Sequence, residues 1–196
     1  MLSEVDIDAA DAALIEALRR GEPGALEQLV ERHGDRVYRL ALLVTGSEDD
    51  AAAVSREALR AVVAGLAAGG GEPSLRPWLA RLAAETAYRT VRPRAPRAGA
   101  PIVHAAQILA PVDDWTRGDG AAAAAPSELS GLMADAIGGL PLDDRVALVL
   151  HDVEGLSRAE IAAVLDIDTR AVAARVHRAR LLARARLSRR LAAPGS

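Results

Sequence analysis

The stretch from Leu140 to Leu187 constrains the fold more than any other part of this chain. Apolar side chains recur there at helical spacing in three successive segments. The second and third segments are separated only by Asp166-Ile167-Asp168, which is the length of a tight turn. Helices joined so closely must bury their apolar faces against one another, so this stretch predicts a compact helical unit.

Local signals mark the ends of these three helices. Leu140-Pro141 opens the first helix, and Gly155 ends it. Ser157-Arg-Ala-Glu has the Ser-x-x-Glu form of a capping box, and Asp168 can cap the third helix. Helix, three-residue turn, helix is the geometry that places a second helix in the major groove of DNA. A plain helical hairpin with an Arg-rich exposed face is the alternative.

Charge is distributed unevenly along the chain. Residues 157–191 hold nine Arg against three acids, whereas residues 1–90 hold fifteen acids and ten Arg. A basic end favours contact with nucleic acid, and a solvated amphipathic helix is the competing interpretation. Residues early in the third helix would reach base edges, and later arginines would hold phosphates.

The rest of the chain predicts a second helical unit and a connection. Phe is absent and the aromatic share is only 2%, so the cores must be built from aliphatic residues and Ala. The pattern predicts N-terminal helices over about 11–20, 25–45, 48–68 and 74–91. Scattered Pro and an Ala run then indicate a linker. The predicted fold is therefore all-α, with two small helical domains (8–94 and 127–192) joined by a flexible Pro/Ala-rich linker (95–126).

Other classes of site find little support in the sequence. Cysteine is absent, and His177 has no second His three or four residues away, so neither a metal nor a cofactor is predicted. We find no nucleophile elbow, phosphate loop or zinc-protease motif, which places an enzyme last among the readings. No signal-peptide pattern and no apolar run of ~20 residues is present, so we expect a cytoplasmic protein that does not contact the membrane.

Several segments resemble a known family. Asp152-Val-Glu-Gly-Leu-Ser and His177-Arg-Ala-Arg resemble region 4 of sigma-70 family RNA polymerase sigma factors, most closely the extracytoplasmic-function (ECF) group. Glu31-Arg-His, Arg36-Val-Tyr-Arg-Leu-Ala and Arg76-Pro-Trp-Leu are similar to region 2. The resemblance covers roughly residues 11–94 and 128–191.

This resemblance implies a factor that directs core RNA polymerase to promoter DNA. The partners it implies are the β′ coiled coil and β flap of the polymerase core and promoter DNA, with an anti-sigma factor as a further possible partner. The implied −35 contacts are Thr169, Arg170, Ala173, Ala174, Arg175, His177, Arg178 and Arg180. The implied −10 contacts are Trp78, Arg81 and Arg89. The implied core contacts are Asp50, Ala53, Arg56, Glu57 and Arg60.

Departures from the family pattern keep alternatives open. The third helix reads Asp50-Ala-Ala-Ala where the family has Asp-Ala-Glu-Asp, and Glu85 stands where Asn is frequent, so region 2 is degenerate. One alternative is a sigma-like helix-turn-helix regulator that binds DNA but has lost promoter melting or core binding. Another is a helix-turn-helix output module joined to an unrelated helical sensor domain.

Overall fold

A computed structural model of the chain describes residues 4–71, 74–93 and 126–192. Every regular element within these ranges is a helix, which confirms the all-α prediction. The N-terminal lobe consists of α1 (Glu4–Arg19), α2 (Ala25–Thr45), α3 (Glu48–Ala67) and α4 (Leu75–Val91). The C-terminal lobe consists of α5 (Pro126–Gly138), α6 (Leu142–Leu148), a π-helical turn (Val149–Val153), α7 (Arg158–Leu165) and α8 (Thr169–Ala192). The predicted linker lies outside the described residues, except for Pro126, where α5 begins.

Turn chemistry explains the helix ends of the N-terminal lobe. Gly46 follows α2 with a φ of 71°, and its N–H donates to the carbonyl of Leu42 at 2.8 Å. Glycine adopts this left-handed conformation without strain, so α2 ends where the sequence predicts. Ser47 Oγ then accepts a hydrogen bond from the Asp50 N–H and caps α3. α1 begins at Glu4 rather than near Asp11, so the start predicted for this helix is seven residues too late.

The core of the N-terminal lobe lies where α2, α3 and α4 pack pairwise. Its largest fully buried side chains are Leu29, Leu40, Leu43, Leu66, Leu75 and Leu79. Trp78 packs against Gly65 so closely that a Cβ there would lie 2.9 Å from the indole Cζ2. A glycine at this position therefore lets α3 and α4 approach each other around the indole.

The core of the C-terminal lobe forms where α6 and α7 pack on α8. Val146, Leu150, Ile161 and Val172 are buried there, as their spacing predicts. Leu187 and Val153 are only half-buried, so the predicted stripes are wrong at their ends, where solvent reaches the helices.

The two lobes are in direct contact. α4 packs against α6, the π-helical turn and α7, and α2 packs against α5, α6 and the π-helical turn. Buried residues of both lobes belong to one continuous apolar cluster. The predicted division into two domains therefore corresponds to two helical groups that share a face.

Candidate nucleic-acid interface

The helix-turn-helix unit is built by α7, a short turn and α8. The Ser157 N–H donates to Glu160 Oε2 at 2.7 Å, and the Glu160 N–H donates to Ser157 Oγ at 3.3 Å, so both bonds of the predicted capping box are present. The side-chain hydrogen bond from Ser157 also lowers the pKa of the Glu160 carboxyl. The helix therefore starts at a well-defined point in the chain.

The turn between α7 and α8 uses two aspartates in different ways. Asp166 ends α7 in the left-handed region with a φ of 52°, which few residues other than glycine adopt easily. Asp168 Oδ1 accepts a hydrogen bond from the Ala171 N–H at 2.8 Å and so caps α8, as predicted. Ile167 lies between them, half-buried against the core. Together these contacts fix the angle at which α8 leaves the turn.

The first turns of α8 present a small polar face to solvent. Val172 and Val176 are buried and hold the helix to α6 and α7. Thr169, Arg170, Ala174 and His177 are exposed, and Ala173 is half-buried. Most of the predicted −35 residues at the start of α8 thus share the solvent-facing side, and Arg170 is the cation among them.

The three arginines that follow on α8 are paired with carboxylates of the same lobe. Arg178 binds Asp144 through two hydrogen bonds, and Arg180 binds Asp152 in the same way. Arg175 Nη2 lies 3.2 Å from Asp143 Oδ2. A guanidinium that is already paired with a carboxylate attracts a phosphate less strongly. These three arginines therefore act chiefly by stabilising the packing of the lobe.

Burial makes the Arg178 pair the most consequential of the three. The Asp144 side chain is 1% exposed, whereas the Arg178 side chain is 58% exposed. The hydrogen bond with Asp144 raises the pKa of Arg178. A buried carboxylate needs a paired cation, so Arg178 holds α8 to the start of α6.

Arg180 makes a second, more exposed contact with the C-terminal end of the π-helical turn. Its hydrogen bond with Asp152 raises the pKa of Arg180. Partial burial alone would raise the pKa of Asp152, but hydrogen bonds with Arg180 and His151 outweigh it and lower that pKa. Both ions are therefore stabilised in their charged forms at neutral pH.

The predicted −10 residues lie in three different surroundings. Trp78 is 7% exposed and belongs to the core. Arg89 is exposed, with its Nη2 at 3.2 Å from Glu57 Oε1. Arg81 is half-buried near Glu160 of α7, and its positive charge contributes to the lowered pKa of that carboxyl. The structure thus does not bring these three side chains to one open surface.

The predicted polymerase-contact residues lie along α3. Ala53, Arg56, Glu57 and Arg60 are exposed, and Asp50 is half-buried. Their spacing of three and four residues places the exposed set on one face of the helix. That face is a continuous strip of mixed charge.

Sequence reasoning missed the carboxylates that pair with the α8 arginines. Asp143, Asp144 and Asp152 lie about 30 residues from their partners, beyond the reach of any helical spacing rule. It also missed Arg36, Tyr88 and Glu154, which join the two lobes. The π-helical turn left no signal, because its apolar pattern matches that of an α-helix.

Among the residues that the structure describes, no group of three or more His, Cys, Asp or Glu side chains converges as a metal site would. None of their helices is both long and apolar enough to cross a membrane.

The fold and the α7–turn–α8 unit define the chain as an all-α helix-turn-helix protein. A family model for Sigma-70, region 4 matches residues 130–182, which include α7, the turn and the first part of α8. These residues therefore form a region 4 of the sigma-70 type, and the chain as a whole is similar to ECF sigma factors.

Relatives match well beyond the helix-turn-helix. The ECF RNA polymerase sigma-E factor of Haemophilus influenzae is 29% identical, over 87% of this chain and 91% of its own length. The ECF RNA polymerase sigma factor SigM of Mycobacterium tuberculosis is 28% identical, over 94% of this chain and 86% of its own. The structure of CnrH in complex with the cytosolic domain of CnrY has a TM-score of 0.57 at 26% identity, covering 95% of this chain and 99% of that one. Both lobes thus fall within the compared length.

Proposed function

We propose that this chain directs core RNA polymerase to promoter DNA and so starts transcription at chosen promoters. The observation that carries the proposal is the capped α7–turn–α8 unit, set in a chain that aligns along most of its length with ECF sigma factors. The role is that of a DNA-binding initiation factor rather than an enzyme. It is exercised in the cytoplasm, where polymerase and chromosome meet.

The C-terminal lobe (127–192) would bind the −35 element through the start of α8. Arg170 has the reach to contact a guanine edge or a phosphate. Thr169 and His177 add hydrogen-bonding groups, whereas Ala173 and Ala174 offer only methyl contacts. We expect phosphate contacts to contribute more to affinity than base readout does.

The N-terminal lobe (8–94) would serve the −10 element and the polymerase. The exposed strip of α3 would bind the β′ coiled coil, since it offers charges of both signs and no helix among the described residues covers it. Arg81 and Arg89 would supply cations along the opened strand. Trp78 is buried and would contribute indirectly, by holding α4 against α3. Residues 95–126 would connect the two lobes.

A transcription assay tests the proposal. Purified protein is mixed with core polymerase and a panel of promoters, and specific transcripts are the expected result. Failure to bind core polymerase at low salt would refute the sigma-factor role. It would favour the regulator that binds DNA alone, which the alanines at 51–53 of α3 also favour.

Matched variants separate the two proposed surfaces. Arg170→Ala should weaken promoter DNA binding and reduce the dependence of log K on log salt by about 0.9, the loss of one phosphate contact. Arg60→Glu should weaken core binding and leave DNA binding by the isolated protein intact. Arg20→Ala, an exposed arginine at the end of α1, is the control for both measurements. If Arg20→Ala weakened DNA binding or core binding as much as these variants do, the assignment of the two surfaces would be contradicted.

A further inference from the structure

Large apolar side chains that remain exposed are concentrated on two helices. Within the described ranges they are Leu26 and Val30 of α2, Leu181 and Leu182 of α8, and Met133 of α5. Leu26 is 50% exposed and Leu181 is 53% exposed. Leu26 and Val30 lie one turn apart, so they form an apolar patch rather than an isolated exposed side chain.

Carboxylates flank the apolar pair of α2. Glu27, Glu31 and Asp35 are exposed and recur every four residues, so they form a row beside the row that begins with Leu26 and Val30. Successive carboxylates of this row are about 6 Å apart along the helix axis. None of the three is paired with a cation among the described residues. These five residues, the α2 face, therefore combine an apolar edge with a row of free negative charge.

The solvent-facing side of α8 carries the opposite charge. Arg170, His177, Leu181 and Arg184 are exposed, and their spacings of seven, four and three residues place them on one side of the helix. Neither Arg170 nor Arg184 is paired with a carboxylate in the described part of the chain. These four residues, the α8 face, therefore combine an exposed leucine with free positive charge.

The two faces are complementary, yet they do not cover each other within one chain, because both are exposed to solvent. The same polarity extends over the lobes that carry them. Residues 1–90 hold fifteen acids and ten Arg, whereas residues 157–191 hold nine Arg and three acids. Opposite charge at two surfaces speeds their encounter and sets the orientation in which they meet. The complement of each face is thus present on a second copy of the same chain.

We propose that the α2 face of one copy binds the α8 face of a second copy, and that the free protein forms a two-fold dimer through two such contacts. Each copy contributes one face and receives the other, so the assembly closes and leaves neither face open. Leu26 and Val30 pack on Leu181 at each contact. The carboxylates of α2 pair with the arginines of α8 around this apolar centre.

The dimer covers the surface that the proposed function assigns to the −35 element. Arg170 and His177 belong to the α8 face and are also predicted −35 residues. The carboxylate row of α2 takes the place of DNA phosphates, since both present negative charges in a line. The dimer and the promoter complex therefore exclude each other. This consequence rests on the proposed function, whereas the dimer itself does not.

Sedimentation velocity of the full chain tests the dimer. In low salt, the chain should change from monomer to dimer as its concentration rises to about 100 µM, a range expected for small, charged interfaces. About 0.5 M salt should return it to the monomer, because exposed ion pairs are screened. Promoter duplex added to the dimer should release chains that are bound singly to DNA.

An exchange of charges identifies the two faces. The first variant carries Glu27→Arg, Glu31→Arg on α2, and the second carries His177→Glu, Arg184→Glu on α8. Each variant alone places like charges together, so its dissociation constant should rise about tenfold or more. A mixture of the two variants has opposite charges at both contacts and should form a mixed dimer.

Asp49→Arg, Arg158→Glu is the matched control, because it reverses exposed charges outside both faces. It should dimerise as the unaltered chain does, and circular dichroism checks that every variant is folded. A mixed dimer formed from two monomeric variants supports the proposal.

Three outcomes would overturn the dimer. They are a monomer at every concentration in low salt, a dimer that survives both charge reversals, and a mixture of variants that stays monomeric. The first of these would assign the α2 face to a basic partner protein instead. A dimer that persists on promoter DNA would overturn the mutual exclusion. Mixed dimers from a chain that binds no promoter would keep the dimer and count against the proposed function.

Discussion

At the scale of the residue, the arginines of α8 have a role that composition does not reveal. Arg175, Arg178 and Arg180 look in sequence like cations available for phosphate. In the folded lobe each is paired with a carboxylate of α6 or the π-helical turn. Their removal therefore affects the stability of the lobe as well as any DNA contact. Arg170 is exposed at the start of the helix, so its substitution should affect DNA binding with little effect on the stability of the lobe.

Arg178→Ala should destabilise the protein by about 2–4 kcal/mol, because it leaves Asp144 buried and unpaired. We expect the loss of stability to lie towards the lower end of this range, since the Arg178 guanidinium itself is more than half exposed. Urea unfolding measures it, with Arg184→Ala on the same helix as a control that changes stability by about 0.5 kcal/mol or less. Equal stability of the two variants would contradict the role given to Arg178.

Tyr88 offers a titration that reports the lobe contact. Burial raises its pKa, and the hydrogen bond and negative charge of Asp143 act in the same direction. The phenol thus favours the folded state below its ordinary pKa, and this contribution is lost as pH rises through the raised value. In a Tyr38→Phe background, Asp143→Asn should lower the pKa of Tyr88, measured by phenolate absorbance. Asp49→Asn is the control. An unchanged pKa of Tyr88 after Asp143→Asn would contradict the Tyr88–Asp143 hydrogen bond.

At the scale of the element, helix ends marked by a capping residue or a glycine were the most predictable part of the molecule, whereas the start of α1 carried no such signal and was predicted too late. The bounds of α2 follow from Gly24 and Gly46, and the start of α7 follows from Ser157 and Glu160. These signals act between residues a few positions apart, so they persist whatever the rest of the chain does. The π-helical turn could not be predicted, since its apolar pattern matches that of an α-helix.

Asp166 provides a test of this local control. Its φ of 52° suits glycine better than any residue with a Cβ. Asp166→Gly should stabilise the protein by about 0.5–1 kcal/mol, while Asp166→Ala should destabilise it by a similar amount. Urea unfolding of the three proteins should rank Gly above Asp and Asp above Ala. The reverse order of Gly and Ala would show that the turn relaxes away from the left-handed conformation.

At the scale of the whole molecule, the lobes share one apolar cluster and two partly buried polar bridges, Arg36–Glu154 and Tyr88–Asp143. The sequence predicts the two helical groups but contains no local sign that they meet. In this arrangement the proposed polymerase strip on α3 and the start of α8 are both exposed, whereas Arg81 and Arg175 are half-buried.

Cooperativity of unfolding should depend on the lobe contact. The wild-type chain is expected to unfold in a single calorimetric transition, because the lobes share buried surface. The double variant Glu154→Gln, Tyr88→Phe should broaden this into two transitions, one for each lobe. Glu27→Gln, Tyr38→Phe should retain the single transition. Two transitions in the wild-type protein would show that the contact is too weak to couple the lobes.

The sequence by itself determined the helices, the capped turn of the helix-turn-helix and the aliphatic cores, because these depend on spacing and on neighbours a few residues apart. It also carried the family resemblance through Asp152-Val-Glu-Gly-Leu-Ser and His177-Arg-Ala-Arg. Only the tertiary structure decided which charges are paired and that Arg36 meets Glu154 across the lobes. Those outcomes depend on which surfaces become buried against each other. Residues far apart in the chain form these contacts, and they do so only in the folded molecule.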